Sequence, residues 1–439
     1  MPLLRLSAAV SGGLRRSLAT VASHPPWGMM TRIVEADPGT QSAHVRLARP
    51  PHASDLRVPL HLVKTAPIPG PYSDLDQAVI GEVCASSGDG LLFLLYSNLR
   101  VVKEGAAGRL SFTHPRRRIG KFDLTRYLDI TRFVLNPLTH QLSRLPDIAY
   151  DRKLVYGRYM GLLTQADRGH GPPDRFAIAV PEEGNLNVML RFLSERDEWE
   201  HVAVSPCQLP SAREMVINQE TLAFGGRMWF VDVTWGVVSA DPFSDRPELS
   251  FTELPRGSVL PDGVQQFEGV PSSQRPDNFR QVGVSQGRLR YVEVSRKEPF
   301  VLSSFVLDNE GIGWTLEHRV ALSKLWADGG FPWLPLKESP QIGLIDPHNA
   351  NVVYLTVDQL VLVLDMNMKE VTGPYPHTGN PMFKCIPCVL PPWLGSSRIP
   401  SVGDLAFEQK FCKVGYSDGK KDAEKNKGLA DVLVRSDIP

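Results

Sequence analysis

The clearest alternation of apolar and polar residues lies in the stretch 225–245, GGRMWFVDVTWGVVSADPFSD. From Met228 to Val238 every second residue, starting at Trp229, is a Trp or a Val, and the residues between them are partly apolar. A period of two predicts a β-strand, and apolar residues on both faces predict that both faces are covered. Thr234-Trp235-Gly236 predicts a turn, so we interpret the stretch as a β-hairpin that stops at Asp241-Pro242.

Units of the same kind recur along the chain: an apolar strand, a polar turn containing Asp, Asn or Gly, and a return strand. The five units are Phe133–Leu145, Val188–Val204, Met228–Leu254, Ser303–Glu317 and Leu360–Thr372. Two stretches match more closely, because GRMWFVDV (226–233) and GRLRYVEV (287–294) share four identical positions and three similar ones. GLLFLLY (90–96) is a weaker relative of both.

Repeats of roughly 40–65 residues, each made of short strands, are typical of β-propellers, in which sheets stack radially to bury both faces. We therefore predict an all-β fold, a β-propeller-like repeat of antiparallel sheets with about six blades. A pair of β-sandwiches is the alternative. Five segments are expected to close the last blade and join the two ends of the chain: Met29–Val34, Val45–Leu47, Leu60–Val63, Cys385–Leu390 and Val402–Glu408.

Composition agrees with a fold of many short strands. The 439 residues include 36 Gly and 37 Pro, and so much proline disfavours long helices. Lys plus Arg and Asp plus Glu both number 48, so no overall charge attracts nucleic acid or an anionic membrane. The five cysteines have no regular spacing and predict no disulfide framework. Apolar runs such as Leu91–Tyr96 are far shorter than the roughly 20 residues of a membrane span.

The two ends of the chain differ from its body. Residues 1–23 are basic and rich in serine, contain no acidic residue, and place leucines and valine on one helical face. This composition predicts an organellar transit peptide and a mitochondrial location, with plastid or cytoplasmic/nuclear as the alternatives. Residues 24–416 are predicted to form one β-propeller-like domain. Residues 417–439 predict a charged, disordered tail.

Four segments carry a resemblance to a known family: HPPWGMM (24–30), NPLT (136–139), GRMWFVDVTWGVVSADPFSDRPELSFTELP (226–255) and GWTLEHRVAL (313–322). They resemble plant proteins with the domain of unknown function 1618, a family expanded in grasses. The resemblance runs from about His24 to about Tyr416, and VDVTWGVVSADPF is its most specific part. It implies a β-rich, propeller-like architecture. It brings no activity, cofactor or catalytic residue.

Gly283-Val284-Ser285-Gln286-Gly287 fits the Gly-x-Ser-x-Gly pattern of a hydrolase nucleophile elbow. That chemistry needs a helix after the serine, so that backbone N–H groups hold the oxyanion. Here the following residues, Leu289–Val294, alternate as a strand. We therefore interpret Gln286-Gly287 as a hairpin turn.

Cys385 and Cys388 form a Cys-x-x-Cys motif, and His377 and Cys412 complete a set of zinc ligands on paper. Redox chemistry would need the first cysteine at a helix N-terminus. The neighbouring residues are apolar and predict a strand, which favours buried structural cysteines. Asp346-Pro347-His348-Asn349 is likewise interpreted as turn chemistry before the strand Val352–Leu355.

Arg116–Arg118 lie in a local basic cluster with Arg109, His114 and Lys121. Such a cluster is able to contact an acidic partner or RNA phosphates. No stacking aromatic residues accompany it, and a solvated loop is the favoured interpretation. The sequence therefore gives no strong indication of nucleic-acid binding.

No catalytic, cofactor-binding or metal-binding residue is assigned from the sequence, and no cofactor is predicted. The favoured function is a non-enzymatic protein-interaction module with an unknown protein partner. One alternative is an enzyme whose site is built from loops at the propeller channel; another is a weak RNA-binding protein. Several tryptophans lie in or near the predicted blade turns, where they are more often core than contact residues: Trp229, Trp235, Trp314, Trp326 and Trp333.

Overall fold

The computed structural model describes residues 24–63, 75–102, 129–148, 159–169, 171–182, 184–205, 209–210, 213–262, 274–329, 339–358, 360–376 and 385–401. Across these ranges the chain forms 25 β-strands and one α-helix, α1 (Leu322–Asp328). The predicted transit peptide 1–23, the predicted tail 417–439 and the basic cluster Arg116–Arg118 lie outside them. The all-β prediction is confirmed.

The first twelve strands are β1 (Trp27–Thr31), β2 (Ile33–Asp37), β3 (His44–Arg46), β4 (Ala53–Pro59), β5 (Leu75–Ser86), β6 (Leu92–Val102), β7 (Asp129–Leu135), β8 (Leu142–Arg144), β9 (Gly161–Gln165), β10 (Arg175–Glu182), β11 (Asn185–Leu193) and β12 (Glu198–Ala203). The remaining strands are β13 (Leu222–Phe224), β14 (Arg227–Asp232), β15 (Gly236–Ala240), β16 (Ser250–Glu253), β17 (Arg280–Ser285), β18 (Arg288–Val294), β19 (Val301–Leu307), β20 (Trp314–Ala321), β21 (Gln341–Ile345), β22 (Val352–Val357), β23 (Leu360–Asp365), β24 (Glu370–Pro376) and β25 (Cys385–Val389).

Five blades follow one another along the chain, and in each of them four antiparallel strands pair in sequence order. We number them blade 1 (β5–β8), blade 2 (β9–β12), blade 3 (β13–β16), blade 4 (β17–β20) and blade 5 (β21–β24). Their first strands lie side by side around a centre: β5 contacts β9, β9 contacts β13, β13 contacts β17, and β17 contacts β21. The first strand of every blade is therefore its inner strand.

The ring is closed by strand β25, which contacts both β21 of blade 5 and β5 of blade 1. It pairs with β1, and β1, β4 and β3 extend outward from it as blade 6. Strand β2 follows β1 and pairs with both β4 and β5, so blades 6 and 1 form one nine-stranded sheet. Six inner strands in cyclic order make a β-propeller, as predicted, and two packed sandwiches would not give this order.

Blade 6 departs from the predicted pattern in two ways. Strand β1 is antiparallel to β25, with Trp27 opposite Val389, but β4 runs parallel to β1, with Met29 opposite Ala53. The prediction of a strand at Leu60–Val63 is wrong, because Leu60–Leu62 form a 3-10 helix. Residues Ala53–Pro59 supply the strand instead, and their alternate residues are buried. The segment Val402–Glu408 lies outside the described ranges.

The core consists of layers between neighbouring blades. Met228 and Phe230 of β14 belong to a buried cluster with Ala177 of blade 2, whereas Val231 belongs to a cluster with Tyr291 of blade 4. Both faces of β14 are thus covered, as its sequence predicts. The alternation predicts Trp235 on the same face as Val231, and this prediction is wrong. Trp235 lies in the turn after β14, and its ring belongs to the cluster shared with blade 2, with its centroid 4.7 Å from that of the Phe251 ring.

The predicted repeat corresponds to equivalent elements of successive blades. The five units found in the sequence are the hairpins made by the third and fourth strands of blades 1–5 or, in blade 3, the three strands β14–β16. The three matching stretches, GRMWFVDV, GRLRYVEV and GLLFLLY, contain β14, β18 and the start of β6, each the second strand of its blade. The sequence repeat is therefore a repeat of blade positions.

Candidate functional site

The largest concentration of buried polar side chains lies just before β13, the inner strand of blade 3. Arg213, Asn218, Gln219, Glu220 and Thr221 are each no more than 8% exposed. Because this segment leads directly into an inner strand, its polar groups lie near the centre of the ring. Burial of polar groups requires hydrogen-bond partners, and most of these side chains have partners in other blades or in the β14–β15 turn.

Asp232 fixes this segment to the β14–β15 turn. Its carboxylate is fully buried and accepts hydrogen bonds from Asn218 Nδ2 (3.1 Å) and from Thr234 N and Oγ1 (2.9 and 2.5 Å). Arg213 Nη2 lies 3.9 Å from the same carboxylate and donates to Thr234 Oγ1 at 2.5 Å. Asp232, Thr234 and Trp235 belong to VDVTWG, the most family-specific segment, which thus has a structural role.

The stretch Arg256–Asn278 is rich in Pro, Gly, Ser and Gln, a composition that predicts a long exposed loop, but its beginning is packed. Ser258 is 2% exposed, Leu260 N donates to Thr234 O at 2.8 Å, and Arg213 Nη1 donates to Leu260 O at 2.7 Å. The expectation of exposure is wrong for these residues, because the backbone of the loop completes the hydrogen bonds of the β14–β15 turn. Polar composition alone did not reveal this.

Gln219 and Thr221 connect blade 3 to both of its neighbours. The Gln219 side chain donates to Val282 O at 2.7 Å and accepts from Val282 N at 2.8 Å, so it occupies the free edge of β17, the inner strand of blade 4. Thr221 Oγ1 donates to Tyr159 O at 2.5 Å, just before β9 of blade 2. These bonds replace water at the backbone edges that face the centre.

Glu220 pairs with Arg32, a residue from the far side of the ring. Arg32 lies between β1 and β2 and accepts a hydrogen bond from Val83 N of β5, at the edge of β5 opposite β6. Its Nη1 is 3.5 Å from Glu220 Oε2, and the two side chains are 13% and 3% exposed. An ion pair therefore joins the junction of blades 6 and 1 to blade 3.

Two further donors of Arg32, Nε and Nη2, are buried and have no hydrogen-bond partner. An unpaired buried donor costs about 1–3 kcal/mol, and such groups are rare in folded proteins. Arg32 and Glu220 are 188 residues apart in sequence, and neither lies in a recognisable motif. No sequence signal identified them, so this candidate site was missed.

Ser285, the central residue of the Gly-x-Ser-x-Gly match, ends β17 and is fully buried. Its hydroxyl donates to Asp346 O of blade 5 at 2.5 Å. Gln286 and Gly287 both have positive φ, 49° and 67°, and form the two-residue turn to β18. The hairpin interpretation is confirmed, and Ser285 serves as an interblade contact.

Asp346 also has the turn role predicted for it. Its carboxylate accepts hydrogen bonds from the backbone N–H groups of His348 (2.8 Å) and Asn349 (2.9 Å) and from the Tyr354 hydroxyl (3.1 Å). These bonds hold the turn that leads into β22. In the ranges that the structure covers, no three His, Cys, Asp or Glu side chains are grouped so that they could hold a metal ion.

Cys385 and Cys388 lie on β25, as the strand prediction requires, and both are buried. Burial raises the pKa of each thiol to about 12, because the thiolate would lose its hydration. A thiolate is the nucleophilic and metal-binding form of cysteine, and this environment disfavours it. His377 and Cys412 lie outside the described residues.

We expect Cys385 and Cys388 to resist iodoacetamide at pH 8 in the folded protein and to react once it is unfolded in guanidinium. Below a pKa of about 12 the folded thiols stay protonated, and they are also covered. Peptide mass spectrometry resolves each site, and an exposed cysteine introduced by His201→Cys is the reactive control. Rapid labelling of Cys388 in the folded protein would contradict its placement in the closure strand.

Of the five tryptophans noted in the sequence, Trp229, Trp235 and Trp326 are buried and Trp314 is partly buried. Trp314 Nε1 donates to Glu253 O at 2.8 Å and so joins blade 4 to blade 3. Trp333 lies outside the described residues. Within the covered ranges, no helix has the length and apolar character needed to cross a membrane.

Several solved structures are similar to this chain, all with low TM-scores. Apo AztD from Citrobacter koseri is 12% identical, with 82% of this chain and 98% of that one covered and a TM-score of 0.31. The Cps50 (Swd1) β-propeller domain from Myceliophteria thermophila is 8% identical, with coverages of 57% and 81% and a TM-score of 0.30. The fission yeast SREBP–SCAP binding domains are 10% identical, with 80% of each chain covered and a TM-score of 0.27. The propeller assignment rests on the ring of inner strands.

A comparison with curated proteins finds no match. One family model does match, that of the protein of unknown function DUF1618, over residues 229–354. The matched region begins in β14, includes the VDVTWG turn fixed by Asp232, and ends in β22 of blade 5. The family predicted from the sequence is therefore confirmed: residues 229–354 of this chain are a DUF1618 region.

Proposed function

We propose that this chain is a non-enzymatic protein-interaction module that binds its partner through blades 4 and 5. The observation that carries the proposal is the position of its exposed apolar side chains. Among the described residues, the large apolar side chains that are strongly exposed are Ile312 (75%), Met368 (60%) and Leu316 (47%). All three belong to these two neighbouring blades.

The positions of these residues in their blades are related. Ile312 lies in the turn between β19 and β20, and Met368 lies in the equivalent turn between β23 and β24. Turns between the third and fourth strands of successive blades lie on the same face of a propeller, so Ile312 and Met368 share a face. Leu316 follows on β20, the outermost strand of blade 4.

A protein partner gains free energy by covering such side chains. Fully burying an aliphatic side chain contributes about 1.5–3 kcal/mol, and a few such anchors supply most of the affinity of a typical interface. Glu310 and Glu370 are exposed in or next to the same turns. Lys369 is exposed beside Glu370, so the rim carries both signs of charge, and we expect a partner with an apolar centre and a mixed polar rim.

We expect the triple variant Ile312→Ser, Leu316→Ser, Met368→Ser to lose at least about tenfold in affinity for the partner, since three apolar anchors are removed. The partner is first identified by cross-linking in cells with the tagged full chain, and its Kd is then measured with purified proteins.

The same cellular sample gives the N-terminal residue of the protein. A start near Ser23–Trp27 would support the proposed mitochondrial leader.

The matched control is Glu198→Ser with His201→Ser, two exposed residues on β12, the outermost strand of blade 2. The control variant keeps its affinity if binding is confined to blades 4 and 5. The triple variant should also unfold at the same temperature as the unaltered protein, because its replaced side chains are exposed. An unchanged Kd for the triple variant would overturn the proposal.

A further inference from the structure

We propose that Arg32 anchors a carboxylate-binding site at the centre of the propeller. The proposal concerns a small acidic group and is independent of the protein surface on blades 4 and 5. It starts from the two donors of Arg32, Nε and Nη2, that are buried and have no partner in the fold.

These two donors form a defined shape. In an arginine side chain the Nε–H and one Nη2–H point in the same direction and make a planar fork that matches the two oxygens of a carboxylate. The third nitrogen of Arg32, Nη1, contacts Glu220 Oε2 at 3.5 Å. Glu220 thus neutralises the guanidinium from one side and leaves its fork unused.

The position of Arg32 supports a ligand site over a purely structural pair. Arg32 follows β1 and lies at the edge of β5 that faces the centre of the ring, and Glu220 leads into β13 on the opposite side. The centre of a propeller is where residues from several blades converge. Here the converging groups are one guanidinium and one carboxylate.

Access to the fork requires a local movement. Both fork atoms are covered, whereas the Arg32 side chain as a whole is 13% exposed. Its contact with Glu220 is longer than the 2.7–2.9 Å that is typical of a charge-assisted hydrogen bond. Glu220 holds the guanidinium only at Nη1, and this loose contact lets the Arg32 side chain shift so that an incoming carboxylate reaches the fork.

The charge at the site favours a carboxylate over a phosphate. Arg32 supplies one positive charge, and Glu220 cancels it when both are ionised. A phosphate dianion placed beside Glu220 would meet repulsion without a second cation to offset it. A carboxylate group needs one fork and places half that charge beside Glu220, even when the acid carries a second carboxylate farther away. Its source is either a free small acid or an acidic side chain of a peptide.

The test uses the full-length protein with 15N-labelled arginine and follows the Nε–H resonance of Arg32, which Arg32→Lys identifies by removing it. The probes are sodium glutarate, the peptide acetyl-GGEGG-amide, its acetyl-GGQGG-amide counterpart and inorganic phosphate. We expect the glutamate peptide or glutarate, or both, to shift this resonance, and the glutamine peptide not to shift it. A response to glutarate alone identifies a small acid as the source, and one to the peptide alone identifies a peptide. A shift with phosphate but with neither carboxylate would overturn the assignment.

Two variants give opposite expected results, which a purely structural ion pair would not. Arg32→Lys keeps the charge but loses the fork, so calorimetric affinity for the responding carboxylate should fall at least about tenfold. Glu220→Gln removes the competing carboxylate, so affinity should rise about threefold or more. Arg46→Lys, at an exposed arginine whose side chain is 78% accessible, is the control. Weaker binding by Glu220→Gln, or no binding of either carboxylate by the unaltered protein, would refute the proposal.

Discussion

Replacing Asp232 by alanine is expected to lower the free energy of unfolding by about 3–5 kcal/mol, the range for breaking a buried charge pair. The carboxylate of Asp232 is fully buried and accepts bonds from Asn218 and Thr234. Without it, the guanidinium of Arg213, 3.9 Å away, loses its buried negative partner and keeps Asp262, which is also 3.9 Å away but is 72% exposed and therefore screened by water. Equilibrium unfolding in urea, followed by tryptophan fluorescence, measures the loss.

Asp245→Ala is the matched control, because the Asp245 side chain is 97% exposed and lies 3.7 Å from a surface arginine, Arg196. Exposed pairs of this kind contribute little, so we expect no measurable change in unfolding. If Asp232→Ala unfolded at the same urea concentration as Asp245→Ala, Asp232 would not be holding the entry segment of blade 3 to its turn.

Gly90→Ala is expected to destabilise the closed ring by about 2–4 kcal/mol, from backbone strain plus overpacking. Gly90 has φ of 89°, a conformation that disfavours a side chain. A Cβ at this position would overlap the carbonyl oxygen of Val389 in β25 and lie 2.7 Å from Leu394 Cδ2. The overlap involves backbone of β25, which cannot move without shifting the strand that closes the ring. Thermal unfolding measures the change in stability.

The control is Gly169→Ala, which separates backbone strain from the loss of closure. Gly169 also has a positive φ, 72°, but a Cβ there would meet nothing within 4 Å. Its alanine variant should show only the strain cost of about 1 kcal/mol. Equal destabilisation by the two variants would mean that the close approach of β25 to blade 1 does not stabilise the ring.

Much of the blade architecture was predictable, because each blade buries both faces of its sheet against neighbours. The alternation in Met228–Val238 reports that burial directly, and the match between 226–233 and 287–294 reports equivalent strands in adjacent blades. Blade 6 was harder to predict. Its strand β4, ASDLRVP, pairs in parallel with β1, so no hairpin signal marks that pairing.

The candidate site at the centre was not predictable from local pattern. The Gly-x-Ser-x-Gly and Cys-x-x-Cys matches drew attention to residues that the fold uses for an interblade bond and for a buried strand. Arg32 and Glu220 come together only because the ring brings opposite blades face to face. Neither residue has neighbours in sequence that distinguish it from an ordinary surface charge.

The pairing of β1 with β25 also sets the order of events during synthesis. Strand β1 leaves the ribosome before the strands of blades 1–5, and its partner at Cys385–Val389 emerges about 350 residues later. Blades 1–5 can form as they are made, but the ring stays open until that last strand arrives. A nascent chain therefore carries an unpaired strand edge while the residues between β1 and β25 are made, and we expect chaperones that shield such edges to engage it during that interval.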